Sequence, residues 1–144
     1  MAAVEELAAH SGMQVAVHED GVSDFGPLDE TTALLAYHCA AEALTNATKH
    51  GHADSAEITL AVQAPKKALV SHLGTLTVTV RDNGVGLEAP SGADAVDLVK
   101  HDDGTGIAGL RERAAALGGT VSLTNADGGA ELRLELPVRQ GRTR

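Results

Sequence analysis

The order of helical and strand-like segments predicts a two-layer α/β sandwich, with about three helices on a mixed, mostly antiparallel sheet. Two observations support this prediction. Segments that alternate apolar and polar residues occur as adjacent pairs, as antiparallel hairpins require. Segments with apolar residues three or four apart lie before the first pair and between the two pairs. With 144 residues, the chain is predicted to be one domain, residues 1–144, with a single core.

The first half of the chain contains three predicted elements. Residues 1–12 have the pattern of the end of a preceding helix or linker, which Ser11-Gly12 stops. Residues 13–18 alternate as a strand does. Residues 29–50 contain no Gly or Pro and form the longest predicted helix, with Gly51 as its expected C-cap residue.

The second half of the chain is predicted to contain two hairpins separated by an irregular stretch and a helix. The predicted elements are strands at 56–63 and 73–81, a helix at 107–117, strands at 121–124 and 131–136, and a frayed tail at 139–144. Residues 87–103 are expected to be a flexible lid, because so long a loop in a compact domain usually has a function.

Composition excludes several classes of partner. Twenty acidic against 11 basic side chains give a net charge of -9, so the chain repels a nucleic acid. One Phe, one Tyr and no Trp provide neither base stacking nor an aromatic membrane belt, and no membrane contact is expected. A single cysteine and the lack of a long apolar run predict a cytoplasmic protein, or the cytoplasmic part of a larger sensor.

The long helix carries Glu42 and Asn46 four residues apart, so both side chains leave the same face. An amide oxygen is a suitable ligand for Mg²⁺, which commonly shares its oxygen ligands with substrate phosphates. A carboxylate one turn away is able to accept a proton from an attacking nucleophile. The alternative is a solvated helix face that carries a polar pair.

The segment from Asp82 to Gly86 (Asp-Asn-Gly-Val-Gly) directly follows the most regular strand. Gly84 and Gly86 permit a turn and let a flat ligand approach the backbone. Asp82 is able to accept a hydrogen bond from an exocyclic amine such as that of adenine. The alternative is an ordinary hairpin turn, in which Asn-Gly is common.

The segment from Gly104 to Gly109 (Gly-Thr-Gly-Ile-Ala-Gly) opens a helix after the irregular stretch. Backbone N–H groups at a helix N-terminus bind phosphate. The same letters match the dinucleotide fingerprint, but that site needs an apolar strand running into the first glycine, and here Lys100 to Asp103 intervene. A P-loop is excluded because its glycine-lysine motif is missing from the sequence.

Together, in order and spacing, the three segments resemble the Bergerat-type (GHKL) ATP-binding domain shared by sensor histidine kinases, type II topoisomerases, Hsp90 chaperones and MutL proteins. The resemblance covers about residues 13–137. Within that superfamily, residues 42–50 (EALTNATKH) are similar to the N-box of histidine kinases that pair with NarL-type response regulators. Residues 104–119 are similar to the end of the lid and the following helix of the same subgroup.

The resemblance implies a role for each matched residue. Asn46 ligates the Mg²⁺ of Mg²⁺-ATP, Lys49 lies near the phosphates and Glu42 polarises the nucleophile. Asp82 binds the adenine amine. The remaining implied ATP-binding residues, which shape the base pocket or cover the triphosphate, are Gly84, Gly86, Gly104, Thr105, Gly106 and Ile107.

Two departures from the family pattern affect these expectations. Gly129-Ala130 replaces the Gly-Thr of many relatives, so a hydroxyl that often supports the adenine-binding aspartate is missing. None of the seven histidines lies in a long amphipathic helix and is followed there by the acidic residue expected of a phosphoacceptor. The histidine-bearing dimerisation domain is therefore expected to be a separate partner, and a response regulator is expected to be reached through the full kinase.

The leading interpretation is the catalytic domain of a two-component sensor histidine kinase, which transfers the γ-phosphoryl group of ATP to a histidine. Positioning and charge neutralisation supply most of the catalysis in such transfers. The first alternative is a non-catalytic module that senses nucleotide. The second is another ATPase or serine kinase of the same superfamily.

Overall fold

The computed structural model describes residues 2–22, 28–49, 52–63, 73–84, 106–126 and 129–139. The elements in chain order are α1 (Ala2–Ala9), β1 (Gln14–Asp20), α2 (Glu30–Lys49), β2 (Ser55–Gln63), β3 (Leu73–Asp82), α3 (Ile107–Ala116), β4 (Thr120–Ala126) and β5 (Gly129–Arg139). Each lies where the sequence predicted it, with ends that differ by a few residues. The predicted lid at 87–103 and the predicted C-cap Gly51 lie outside the described residues. Arg139, expected in the tail, is the last residue of β5 and pairs with Leu73.

The five described strands form one mixed sheet in the order β1-β2-β3-β5-β4. β1 and β2 are parallel and are connected through α2, whereas the other three neighbouring pairs are antiparallel. β2 with β3 and β4 with β5 are the two predicted hairpins. The chain therefore has the two-layer α/β fold that the sequence predicts.

The core lies between one face of the sheet and the helices. Alternate strand residues point to this face, because successive side chains of a strand point to opposite sides. The largest fully buried side chains are Ile58, Leu60, Leu76, Leu110, Leu134, Leu136, Val78 and Cys39. Burial raises the pKa of the Cys39 thiol to about 12, so at neutral pH it is a protonated, small apolar group of the core.

Helix α2 packs across the centre of the sheet, against β2, β3 and β5. Asp29 caps its N-terminus: Oδ1 accepts a hydrogen bond from the Thr32 N–H at 2.8 Å and Oδ2 accepts one from the Thr32 hydroxyl at 2.9 Å. Its buried face consists largely of small residues, which let the helix approach the sheet closely. No helix within the described ranges is long and apolar enough to cross a membrane.

Helix α3 ends in a Schellman motif that directs the chain into β4. Gly118 has a φ of 82°, and its N–H donates to Ala115 O at 3.0 Å. The Gly119 N–H donates to Ala114 O at 2.7 Å, which completes the motif. A Cβ at Gly119 would overlap the carbonyl oxygen of Glu135 in β5. The helix predicted at 107–117 thus ends close to where it was expected, and Gly119 is also required by the packing of β5.

Candidate functional site

One end of the sheet brings two of the three predicted motifs together. β1 and β2 both begin there, with Gln14 opposite Ser55, and β3 ends there with Asp82 opposite Ala56. Helix α2 reaches the same end, because only a short connection separates its last residue, Lys49, from the first residue of β2. Residues of α2 and β3 that are far apart in the sequence therefore lie at the same end of the sheet.

Asp82 is the last residue of β3 and lies on the same face of the strand as the buried residues Val78 and Val80. Its Oδ1 accepts a hydrogen bond from the Gly84 N–H at 2.8 Å. The same oxygen accepts a second bond from the Ala130 N–H at 3.3 Å. These two backbone donors, one local and one from β5, fix the direction of the carboxylate.

Gly129, at the start of β5, approaches β3 too closely for any other residue. A Cβ at this position would overlap the carbonyl oxygen of Asp82 and lie 2.7 Å from its carbonyl carbon. The next residue, Ala130, lacks the hydroxyl found in many relatives, but its backbone N–H donates to Asp82. The missing hydroxyl is visible in the sequence, but the role of this amide is not, because no side chain at position 130 signals it.

Asn83 connects the end of β3 to the start of β2. Its Oδ1 accepts hydrogen bonds from the N–H groups of Asp54 at 2.9 Å and Ser55 at 3.0 Å. Its own N–H donates to Ser55 O at 3.1 Å. From the sequence, Asn83 was interpreted only as a turn residue. Asn side chains readily accept backbone N–H groups, but the partner segment, nearly thirty residues away, could not be inferred from local spacing.

Glu42, Asn46 and Lys49 follow one another at successive turns of the C-terminal half of α2. Glu42 and Asn46 are partly exposed, whereas Lys49 is exposed. Among the residues between them, Ala43, Leu44 and Ala47 are buried against the sheet, whereas Thr45 and Thr48 are exposed. The three polar side chains therefore share a helix surface that is accessible to a ligand, at the end of the helix nearest to β2.

Gly106 and Ile107 open α3. The backbone oxygen of Gly106 accepts the Leu110 N–H at 3.0 Å, and among the described residues no side chain caps this N-terminus. The side chain of Ile107 is buried in the core, so a ligand contact from this residue would come from its backbone. The candidate residues Gly86, Gly104 and Thr105 lie outside the described residues.

The residues of α2 suit a magnesium ion that is shared with phosphates. Within the described ranges, no group of three or more His, Cys, Asp or Glu side chains is placed to hold a metal. Mg²⁺ does not need such a cluster, because it usually keeps several waters and takes one or two protein oxygens together with substrate phosphates. The amide oxygen of Asn46, on the accessible surface of α2, is one oxygen that could serve in this way.

Comparison with known proteins identifies relatives of the whole domain. Residues 31–140 match the family described as histidine kinase-, DNA gyrase B- and HSP90-like ATPases. The signal transduction histidine-protein kinase/phosphatase UhpB of Salmonella typhimurium is 30% identical over 122 residues. That alignment includes 85% of this chain but only 21% of UhpB, so the chain spans about a fifth of the length of this curated relative.

Solved structures share the fold at lower identity. The histidine kinase domain of the blue-light activated kinase from Erythrobacter litoralis superposes with a TM-score of 0.62 at 20% identity, covering 94% of this chain and 57% of that one. The ATP binding domain of PrrB from Mycobacterium tuberculosis superposes with a TM-score of 0.55 at 22% identity, covering 98% and 90% of the two chains. Because the family match covers most of the sequence and the fold agrees, the chain belongs to the histidine kinase-, DNA gyrase B- and HSP90-like ATPases.

Proposed function

We propose that this chain is the catalytic ATP-binding domain of a cytoplasmic two-component sensor histidine kinase, in the subgroup that pairs with NarL-type response regulators. Membership of the ATPase family and the similarity to UhpB support the proposal. The motif at residues 42–50 supports the subgroup. The observation that carries the proposal is the Asp82 carboxylate, which two backbone N–H groups hold at the sheet end that α2 also reaches.

The base site is centred on Asp82. Its carboxylate accepts a hydrogen bond from the exocyclic amine of adenine, while Gly84 and Gly86 leave room for the flat ring. Guanine presents a carbonyl oxygen at the matching position, so two acceptors would face each other. Because Asp82 is held on two sides by backbone donors, it is unable to turn away without losing those bonds.

The phosphate site is on α2 and at the N-terminus of α3. Asn46 ligates Mg²⁺ and Lys49 contributes positive charge beside the phosphates. Gly106 and the backbone of Ile107, at the start of α3, together with Gly104 and Thr105, which precede them in the sequence, would provide N–H groups for the phosphate oxygens. This arrangement concentrates positive charge locally in a chain whose net charge is -9.

The proposed reaction transfers the γ-phosphoryl group to a histidine of a separate dimerisation domain. An imidazole nitrogen attacks the γ-phosphorus, a P–N bond forms, and the bond to the bridging oxygen breaks to release ADP. Glu42 orients the imidazole and accepts its proton. Asn46 would hold a Mg²⁺ ion, which would supply charge neutralisation at the phosphates. Within the full kinase, the phosphoryl group then passes to the response regulator.

Transfer in trans tests this function. The 144-residue chain is incubated with γ-labelled Mg²⁺-ATP and a purified dimeric histidine hairpin from the matching kinase. We expect acid-labile label on the hairpin, and Glu42→Gln should bind ATP normally while slowing transfer by roughly 10²- to 10⁴-fold. Glu112→Gln, at an exposed position of α3, is the matched control and should transfer at the wild-type rate.

The alternatives predict different results. A non-catalytic sensor would bind Mg²⁺-ATP but leave the hairpin unlabelled. A serine kinase or another ATPase of the superfamily would give acid-stable label on a different substrate, or free phosphate. If Glu42→Gln transfers as fast as the wild type, the acid-labile label on the hairpin still identifies a histidine kinase. The role assigned to Glu42 is then wrong.

A further inference from the structure

A chain of hydrogen bonds links the proposed base site to the proposed phosphate site. It begins at Asn83, whose Oδ1 accepts the N–H groups of Asp54 and Ser55 at 2.9 and 3.0 Å. Its backbone N–H donates to Ser55 O at 3.1 Å. One residue, next to Asp82 in the sequence, therefore makes three hydrogen bonds to the segment that leads from α2 into β2.

The same segment is bonded to the last turns of α2. The Ala53 N–H donates to Ala47 O at 3.0 Å, and Ala47 directly follows Asn46. On its other side the segment is held by β1, since the Gln14 N–H donates to Asp54 O at 3.1 Å. Residues 53–55 thus connect the helix that carries Asn46 to the end of β3, where Asp82 lies.

We infer that Asn83 is a positioning residue that sets the spacing between Asp82 and Asn46, and so adjusts the site to a ligand that contacts both. The inference rests on the proposed function, because it assumes that adenine lies at Asp82 and Mg²⁺-bound phosphates lie at Asn46. Without the Asn83 side chain, the Asp54 and Ser55 N–H groups bond to water instead. The two halves then stay linked through backbone bonds, including the Asn83 N–H bond to Ser55 O and the pairing of β2 with β3, and the link is loosened. A small misplacement of binding groups is costly for a ligand that must satisfy all of them at once.

The orientation of Asp82 itself does not depend on the Asn83 side chain. Its carboxylate is held by Gly84 and Ala130, and neither bond involves the amide of Asn83. Loss of the Asn83 side-chain amide should therefore leave the contact between adenine and Asp82 in place. It should change the position of Asp82 relative to α2. This separation distinguishes positioning from general destabilisation, which would weaken every part of the site alike.

The test compares the affinity for ATP with and without Mg²⁺, measured by titration calorimetry on the whole chain. The ratio of the two affinities is the Mg²⁺-dependent gain in ATP affinity. In the proposed site this gain depends on Asn46 and on the phosphates. In Asn83→Ser, whose hydroxyl is too short to reach both N–H groups, we expect this gain to fall roughly 10-fold, with Mg²⁺-free affinity within about threefold of wild type. Asn83→Leu should behave in the same way.

Two further variants make the result specific. Asn83→Asp keeps an acceptor oxygen at the same reach and should restore most of the gain, measured at high salt to screen the added charge. Gln63→Ala, at the opposite and exposed end of β2, should leave both affinities unchanged. Circular dichroism verifies folding, and if Asn83→Leu does not fold, the milder Asn83→Ser decides.

Each outcome bears on a different claim. If Asn83→Ser keeps the full Mg²⁺-dependent gain, or loses Mg²⁺-free and Mg²⁺-dependent affinity by the same factor, the positioning role is overturned. If the wild-type chain binds no ATP under either condition, the proposed function itself fails. A wild-type gain that Asn83→Ser loses and Asn83→Asp restores supports the inference.

Discussion

At the scale of single residues, the direction of a functional side chain depends on backbone groups that carry no sequence signature. Asp82 was predicted because an Asp followed by two spaced glycines, after a regular strand, is a recognisable pattern. Its second donor, the Ala130 N–H, comes from a residue 48 positions away. Every residue except proline has such an N–H, so the sequence contains no sign that this one is used.

The orientation of Asp82 predicts nucleotide discrimination. The chain should bind ATP more tightly than GTP by about 5- to 150-fold, because a buried acceptor that faces another acceptor costs on the order of 1 to 3 kcal/mol. Asp82→Asn has nearly the same size and is able to present an N–H to guanine, so it should reduce the ratio. Calorimetric titrations with both nucleotides measure it, and equal affinities in the wild type would remove Asp82 from the base site.

Asn46 gives a second prediction at this scale. Asn46→Ala should abolish the Mg²⁺-dependent part of ATP binding and leave the fold intact, because the partly exposed side chain is free to be replaced and Ala favours a helix. Thr45→Ala, at the exposed neighbouring position, is the control and should bind Mg²⁺-ATP normally. A melting temperature lowered by many degrees with unchanged Mg²⁺-ATP affinity would show that Asn46 is structural.

At the scale of elements, the sequence pattern was sufficient to predict every described helix and strand and the two hairpins, and it was insufficient to predict the other strand pairs. The alternation of apolar and polar residues in β3 is visible within a short stretch of sequence, and so is the lack of Gly and Pro in α2. The parallel pairing of β1 with β2, and the insertion of β5 between β3 and β4, depend on contacts between distant segments. Glycine packing belongs to the second category: Gly119 and Gly129 appear as turn residues until the opposing strand is known.

These two glycines predict a separation between stability and binding. In Gly119→Ala and Gly129→Ala the new Cβ overlaps a backbone carbonyl of a neighbouring strand, so each should lower the free energy of unfolding by about 1 to 3 kcal/mol. Only Gly129→Ala displaces Asp82, so it alone should weaken ATP binding, by about 10-fold or more. Urea unfolding and calorimetry measure the two effects. Equal loss of ATP affinity in both variants would contradict the assignment of the site to this end of the sheet.

At the scale of the whole molecule, a strongly acidic chain is proposed to bind a polyanion. With a net charge of -9, the overall field opposes ATP, and favourable charge must come from a few local groups. Lys49, the bound Mg²⁺ and the N-terminus of α3 are those groups in the proposed site. We therefore expect the geometry that links Asp82 to α2 to matter more for ATP binding here than it would in a basic protein.

The whole chain is also predicted to be an incomplete kinase. Incubated alone with γ-labelled Mg²⁺-ATP, it should bind the nucleotide and acquire no stable phosphohistidine. A nucleophile must lie about 3 to 3.5 Å from the γ-phosphorus and in line with the leaving oxygen. His10 directly follows the short helix α1, and its Nδ1 lies 2.8 Å from Glu6 O. It is therefore held at a helix end and does not project from the side of a long helix able to dock beside α2.

Acid-labile label on the lone chain, followed over time and compared with the same reaction containing the dimeric hairpin, measures this prediction. Label should appear on the hairpin and stay at background on the chain. His10→Ala is the matched variant: if the lone chain becomes labelled at a rate comparable to transfer to the hairpin, and His10→Ala removes the label, the acceptor lies within these residues. In that case the need for a separate dimerisation domain is wrong, although ATP binding at Asp82 and Asn46 is unaffected.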